Sequence, residues 1–186
     1  MPTISFPYRE DKAADAAALL LELSGGSADL LRIVKLLYLA DRHSLATRGR
    51  PVTGDRYVSM DLGPVGSHTY DLMKDQVSVK PLPTVWAKRL RREHVRLAIA
   101  HVEPLGALSA ADERVLRETH EQFKDMTTRE IIRHTHTLPE WRDPHGSSLP
   151  IETDELMRIV GIPDDDIAET ARETAYMRQF TRALGA

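Results

Sequence analysis

One segment, Met60–Asp71, holds the residue types that loop-based catalytic sites use. It reads MDLGPVGSHTYD, with Gly63 and Pro64 together and Ser67 next to His68. A phosphate loop needs a lysine directly after its second glycine, and a nucleophile elbow needs the pattern G-x-S-x-G. Neither is present, and side chains adjacent on a helix diverge, so Ser67 and His68 form no dyad. The segment therefore predicts a structural corner at Gly63 and Pro64.

Metal binding is the next chemistry that the residues suggest. Of eight histidines, His134 and His136 lie two apart in RHTHTLPEW. Positions two apart on a helix do not face each other, whereas zinc helices use a spacing of four. The aspartates at 164–166 suit the first turn of a helix without an ion. We predict no metal, no cofactor and no enzyme, with a metal-dependent hydrolase as an open alternative.

The composition is that of an ordinary globular domain. The chain has 186 residues, of which 41% are hydrophobic and 28% charged, and its net charge is −3. This charge gives no general attraction to nucleic acid or to anionic membranes. Cysteine is absent, which excludes disulfides and thiolate chemistry. Apolar runs stay well below the ~20 residues that cross a bilayer, so we predict a soluble cytoplasmic protein.

The apolar pattern predicts a mostly helical α+β domain around one buried helix. Residues 11–24 form the first predicted helix, and Ser27 is the expected N-cap of the second. The second helix, SADLLRIVKLLYLADRHSLATRG, is apolar nearly all round and should be buried. Its narrow polar stripe consists of Asp29, Arg32, Lys35 and Arg42.

Short strands and further helices follow. Arg56–Met60 predicts a strand, and Val65–Lys74 predicts a helix after the Gly-Pro corner. Gln76–Trp86 should be extended, and His94–Glu103 should be a strand with Val95, Leu97, Ile99 and His101 on one face. The remaining predictions are capped helices at Ser109 with Asp112 and at Thr127 with Glu130, a loop over Trp141–Pro150, and helices over Thr153–Val160 and Pro163–Leu184. The fold class is α+β, a mostly helical single domain with a small antiparallel sheet of about three short strands.

The basic cluster of the chain is Lys88–Arg96, KRLRREHVR. Such a run could follow a nucleic-acid backbone, which would suit a regulator of its own operon. It lacks interleaved aromatic residues and a recognition helix, and a charged strand edge explains it equally. Contact with nucleic acid through Lys88–Arg96 is the alternative function.

Several motifs, in this order and spacing, are similar to those of a known family. They are KLLYLADRHSL (residues 35–45), GRPVTGDRY (49–57), DLGPV (61–65) followed by Tyr70, LSAADERVL (108–116) and THTLPEW (135–141). On these residues the chain resembles the SocA/Panacea antitoxin domain family. The resemblance implies a Panacea-like domain over residues 1–146 and a C-terminal helical extension over 147–186.

The resemblance also implies a function. Proteins of this family neutralise toxins of bacterial or phage toxin–antitoxin pairs by direct contact, and the namesake hands its toxin to a AAA+ protease. Aromatic residues dominate interface energetics, so we expect contacts from the corner and from the later motif. The candidate contacts are Tyr57, Asp61, His68, Tyr70, His136 and Trp141. Burial of Tyr57 and Tyr70 in the core is an equal alternative, and for Trp141 a role as a core anchor is the favoured alternative.

Overall fold

The computed structural model describes residues 4–74 and 85–183. Its helices are α1 (Glu10–Leu23), α2 (Leu30–Arg48), α3 (Ser67–Met73), α4 (Val85–Arg89), α5 (Ala110–Phe123), α6 (Thr128–His136), α7 (Thr153–Ile159) and α8 (Asp164–Ala183). Its strands are β1 (Ser27–Asp29), β2 (Tyr57–Ser59), β3 (Val65–Gly66), β4 (Leu90–Glu93), β5 (Arg96–Ile99) and β6 (Leu149–Ile151).

Helix α2 is the centre of the hydrophobic core, as its all-round apolar pattern predicts. It packs against α1, α5 and α6, and Ile33 and Leu36 are fully buried. The prediction that Ser27 is the N-cap of this helix is wrong. The carboxylate of Asp29 accepts the Leu31 N–H at 2.8 Å, while Ser27 lies in β1, because pairing with β5 keeps that segment extended.

Two small sheets flank this core. Within the described residues, the strands form two antiparallel three-stranded sheets in the orders β1-β5-β4 and β3-β2-β6. In the second sheet, Tyr57 of β2 lies opposite Gly66 of β3 and Ile151 of β6. The α+β class predicted from the sequence is confirmed.

Some predicted boundaries are wrong for reasons of strand pairing. The strand predicted over residues 94–103 is shorter in the structure and consists of β5 alone. Val95 lies in the turn of the hairpin that β4 and β5 form. Val95 is therefore 70% exposed, whereas Leu97 is buried. The helix expected from Val65 starts at Ser67, after β3 pairs with β2.

Two other predictions concern connecting segments. The end of the loop expected over Trp141–Pro150 pairs with β2 as β6. Most of the extended segment expected over Gln76–Trp86 lies outside the described residues. Its last two residues begin α4 and are therefore helical.

The predicted helix starts of α5 and α6 are confirmed. Ser109 and Asp112 form a reciprocal capping box at α5, and Thr127 and Glu130 form one at α6. Each box satisfies backbone N–H groups that a helix start leaves without partners. These local signals fix where the two helices begin.

The C-terminal part packs on the same core. Ile151, Leu156 and Ile167 are buried and belong to the cluster that surrounds α2. A division of the chain at residue 146 stays a prediction. Over the described residues, no helix combines the length and apolarity needed to cross a membrane.

Candidate partner-binding site

The hairpin tip, residues 60–63, joins β2 to β3 and turns on Gly63. The Gly63 N–H donates to the Met60 carbonyl at 2.8 Å, and its φ is +95°, a conformation that favours glycine. A methyl group at Gly63 would stand 2.5 Å from Thr135 Oγ1 and 3.1 Å from Lys35 Nζ. Both the backbone and the available space therefore require glycine at this corner.

Three hydrogen bonds hold the hairpin tip from a segment far along the chain. His136 Nε2 donates to the Asp61 carbonyl at 3.1 Å, and Trp141 Nε1 donates to the Met60 carbonyl at 3.0 Å. The Gly146 N–H donates to Asp61 Oδ1 at 3.0 Å. The rings of His136 and Trp141 also contact each other, with centroids 4.3 Å apart. The structure thus brings together Asp61, His136 and Trp141, three of the candidate contacts.

The outer side of the hairpin tip is open to solvent. Asp61 is exposed and Leu62 is 46% exposed, while Trp141 is half-buried. Protein interfaces are enriched in aromatic residues and keep charged side chains mainly at their polar rim, so Trp141 and Asp61 suit the inner and outer parts of a binding surface. Leu62 was not among the residues predicted from the sequence; its signal is an apolar residue directly before a Gly-Pro turn.

A buried carboxylate positions Trp141. Glu140, the residue before it, is 2% exposed. Its Oε1 accepts the Tyr38 hydroxyl at 2.8 Å and Arg42 Nε at 2.7 Å, both from α2. The ion pair with Arg42 and the hydrogen bond from Tyr38 connect the segment after α6 to the central helix. They therefore fix the backbone position from which the Trp141 side chain extends.

A buried lysine lies beneath the hairpin tip. Lys35 is 0% exposed, and its Nζ donates to the Pro64 carbonyl at 2.8 Å. Burial disfavours the ammonium form and lowers the pKa of Lys35 to about 7. The prediction that Lys35 belongs to a polar stripe of α2 is therefore wrong, since the side chain turns inward to support the corner.

The start of α3 is capped by a residue outside the helix. Its N-cap position is Gly66, which has no side chain to offer. Asp55 takes that role: its Oδ1 accepts the His68 N–H at 3.0 Å and its Oδ2 accepts the Thr69 N–H at 2.9 Å. These are orphan donors of the first turn, so the cap is supplied from the preceding turn of the chain.

His68 is held by the same carboxylate. His68 Nδ1 lies 2.9 Å from Asp55 Oδ1, and its ring stacks on Tyr8 with centroids 4.8 Å apart. The hydrogen bond to Asp55 raises the pKa of His68 above its ordinary value. The side chain is 43% exposed, so one ring edge faces solvent and can meet a partner.

The two candidate tyrosines have different environments. Tyr57 is 3% exposed, its hydroxyl donates to Asp41 at 3.0 Å, and its ring meets Tyr38 edge-on. This burial favours the core alternative for Tyr57. Tyr70 is half-buried, with the Lys74 ammonium 4.0 Å above its ring centroid, so part of its surface faces solvent.

The basic stretch Lys88–Arg96 is largely committed to internal contacts. Arg89 is 5% exposed and pairs with Asp15 at 2.6 Å. Arg91 pairs with Glu93 at 2.7 Å across the exposed face of β4. Arg96 donates to the Ser27 carbonyl at 2.9 Å and so ties β5 to β1. These contacts account for Arg89, Arg91 and Arg96 without a nucleic acid.

The predicted metal alternative gains no support from the geometry. His134 packs against Phe123, with ring centroids 5.1 Å apart, while His136 bonds the hairpin tip. Asp164 pairs with Arg158 at 3.0 Å. In the part of the chain that the structure describes, no group of three or more His, Asp or Glu side chains could hold a metal ion.

One known family matches more than half of the chain. The family described as "Antitoxin SocA-like, Panacea domain" matches residues 33–142. The chain belongs to this family, which supports a role of the toxin–antitoxin type. The matched region contains α2 from Ile33 onward, the hairpin tip, α3, α5, α6 and Trp141. No curated protein and no solved structure is significantly similar to this chain.

Proposed function

We propose that this protein is an antitoxin that neutralises a protein toxin by direct binding at the hairpin tip. The observation that carries the proposal is the tip itself: Asp61 and Leu62 are exposed on a turn whose backbone is held by His136 and Trp141. A loop fixed before binding loses little conformational entropy on association. His68 and Tyr70 are proposed as further contacts, while Tyr57 serves the core.

The protein neutralises the toxin by binding to it rather than by catalysing a reaction, and it does so in the cytoplasm. The test is co-expression in a bacterial host with the product of each adjacent reading frame. A neighbouring product that stops growth alone, and is both neutralised by and co-purified with this protein, supports the proposal. Absence of toxicity and of a complex for both neighbours would overturn it.

Delivery of the bound toxin to a AAA+ protease is the finer form of this proposal. It rests on the family membership, and it makes a distinct prediction about the toxin's lifetime. An adaptor shortens the half-life of the toxin in cells that contain the protease, whereas occlusion leaves the toxin at constant or higher level. Pulse-chase of the tagged toxin with and without this protein separates the two.

A further inference from the structure

A second concave surface lies outside the hairpin tip and outside most of the family match. It has a volume of about 700 Å³, within the range of ligand-binding clefts. Three parts of the chain build it: residues 5–12, the turn over residues 48–54, and the face of α8 over residues 170–178. Only the turn falls in the matched region. We call this surface the cationic groove.

The walls of the cationic groove are held firmly in place. The Arg9 N–H donates to the Thr53 carbonyl at 2.9 Å. A methyl group at Gly54 would stand 2.3 Å from the Pro7 carbonyl oxygen, so the N-terminal segment packs directly on the turn. The groove is therefore a built feature of the chain rather than a gap between loose segments.

The charge of the groove is positive in a protein of net charge −3. Its lining includes one acid, Glu173, and five cationic side chains, which are Arg9, Lys12, Arg48, Arg50 and Arg178. Arg9 is balanced by Asp11 at 2.6 Å. Lys12 and Arg48 share the single carboxylate of Asp112, at 2.7 and 2.8 Å, which leaves an excess of positive charge beside exposed Arg50.

The lining of the groove also contains apolar side chains. They are Phe6, Pro7, Pro51, Val52 and Met177. On α8 the apolar surface continues past Met177, which is 59% exposed, to Phe180, which is 51% exposed. A ligand that fits this surface combines apolar side chains with negative charge.

We propose that the cationic groove binds an acidic peptide segment, carrying alternating carboxylate and apolar side chains, of a protein partner. The cations come from separate parts of the lining, the N-terminal segment, the turn and α8, and internal aspartates offset part of their charge. This dispersed, moderate excess of positive charge matches separated carboxylates better than the concentrated charge of a polyphosphate. Charge complementarity of this kind sets specificity and association rate. The proposal does not depend on toxin binding at the hairpin tip.

Fluorescence anisotropy with three labelled decapeptides tests it. The first alternates glutamate with leucine or phenylalanine; the second has glutamine for each glutamate; the third has serine for each apolar residue. The first should bind at least about tenfold more tightly than the others, and added salt should weaken it. Equal binding of the glutamine peptide, or no binding of the acidic peptide up to about 1 mM, would overturn the proposal.

Charge reversal locates the peptide on the protein. Arg50→Glu should weaken binding of the acidic peptide by about tenfold or more, and Arg50→Ala should weaken it less. Arg129→Glu is the matched control, because Arg129 is exposed on α6 and does not line the groove. Circular dichroism establishes that all variants fold. Loss of affinity in Arg129→Glu equal to that in Arg50→Glu, or binding of ATP instead of the peptide, would contradict the assignment.

Discussion

Gly66 lies against the carboxylate of Asp55 so closely that a methyl group on it would stand 2.5 Å from Asp55 Oδ2. The backbone of Gly66 has φ −77° and ψ 121°, which any residue adopts. The glycine is therefore required by space, since it lets a remote carboxylate reach the first turn of α3.

Gly66→Ala should therefore destabilise the protein through a clash and the loss of a helix cap. We expect a decrease of about 2 kcal/mol in the free energy of unfolding, measured by chemical denaturation. Gly106→Ala is the control, because a methyl group there meets nothing within 4 Å. Equal stability of the two variants would show that Asp55 does not cap α3 in this way.

Leu62→Asp should weaken toxin binding without unfolding the protein. Leu62 is 46% exposed, and an apolar anchor at an interface commonly contributes enough for about a tenfold loss of affinity. Calorimetric titration with the purified toxin measures the change. Val102→Asp is the control, because it makes the same change from an apolar to an acidic side chain at a residue that is 85% exposed and lies outside the hairpin tip. This variant should bind the toxin as the unchanged protein does. The same affinity for both variants would remove the hairpin tip from the interface.

Trp141→Phe should loosen the hairpin tip while keeping an aromatic ring. It removes the N–H that the Met60 carbonyl accepts at 3.0 Å, a loss of about 1 kcal/mol. Hydrogen exchange of the Gly63 amide should become faster, while amides of α5 serve as the internal reference. Unchanged exchange at the tip, with α5 also unchanged, would mean that the indole does not hold the loop.

Lys35→Met should change how stability depends on pH. The pKa of buried Lys35 is about 7, so above this pH the folded state binds fewer protons than the unfolded state. The stability of the unchanged protein should then rise relative to Lys35→Met from pH 7 toward pH 10, by up to about 1.4 kcal/mol per pH unit. Lys88→Met, at an exposed lysine, is the control. If the difference in unfolding free energy between Lys35→Met and the unchanged protein does not vary with pH, Lys35 is not buried as a neutral amine.

Asp55→Asn should lower the pKa of His68. The hydrogen bond that the His68 ring donates to Asp55 raises this pKa above 6.5, so the pair stabilises the fold fully below pH 6.5 and less as pH rises through the folded-state value. Two-dimensional NMR of the histidine rings across pH 5–9 follows the titration, and the other histidines are internal references. An identical His68 titration in both proteins would show that the carboxylate does not hold the ring.

Local patterns predicted the helices well and the sheets less well. The capping boxes at Ser109 and Thr127 involve residues three apart, so the sequence contains the whole signal. The strand at Ser27–Asp29 forms only because β5, about 70 residues later, lies beside it. Lys35 misled the prediction because lysine is rarely buried.

The candidate site required contacts that a linear pattern does not reveal. Asp61 and His136 are 75 positions apart, and Met60 and Trp141 are 81 apart. The predicted contact set included Asp61, His136 and Trp141, but it left out Met60, and it gave no role to Glu140 or Asp55, which position Trp141 and His68. A sequence does not distinguish a buried carboxylate from an exposed one, so the burial of Glu140 and Asp55 is known only from the structure.

The way the hairpin tip is held has a consequence for its evolution. His136 and Trp141 bond the carbonyl oxygens of Asp61 and Met60, which every amino acid provides. Substitutions at exposed Leu62 leave those two bonds in place. If the hairpin tip binds a toxin as proposed, selection can therefore alter this side chain while the loop keeps its shape. One toxin is then exchanged for another through a few codon changes, with no need to evolve a new fold.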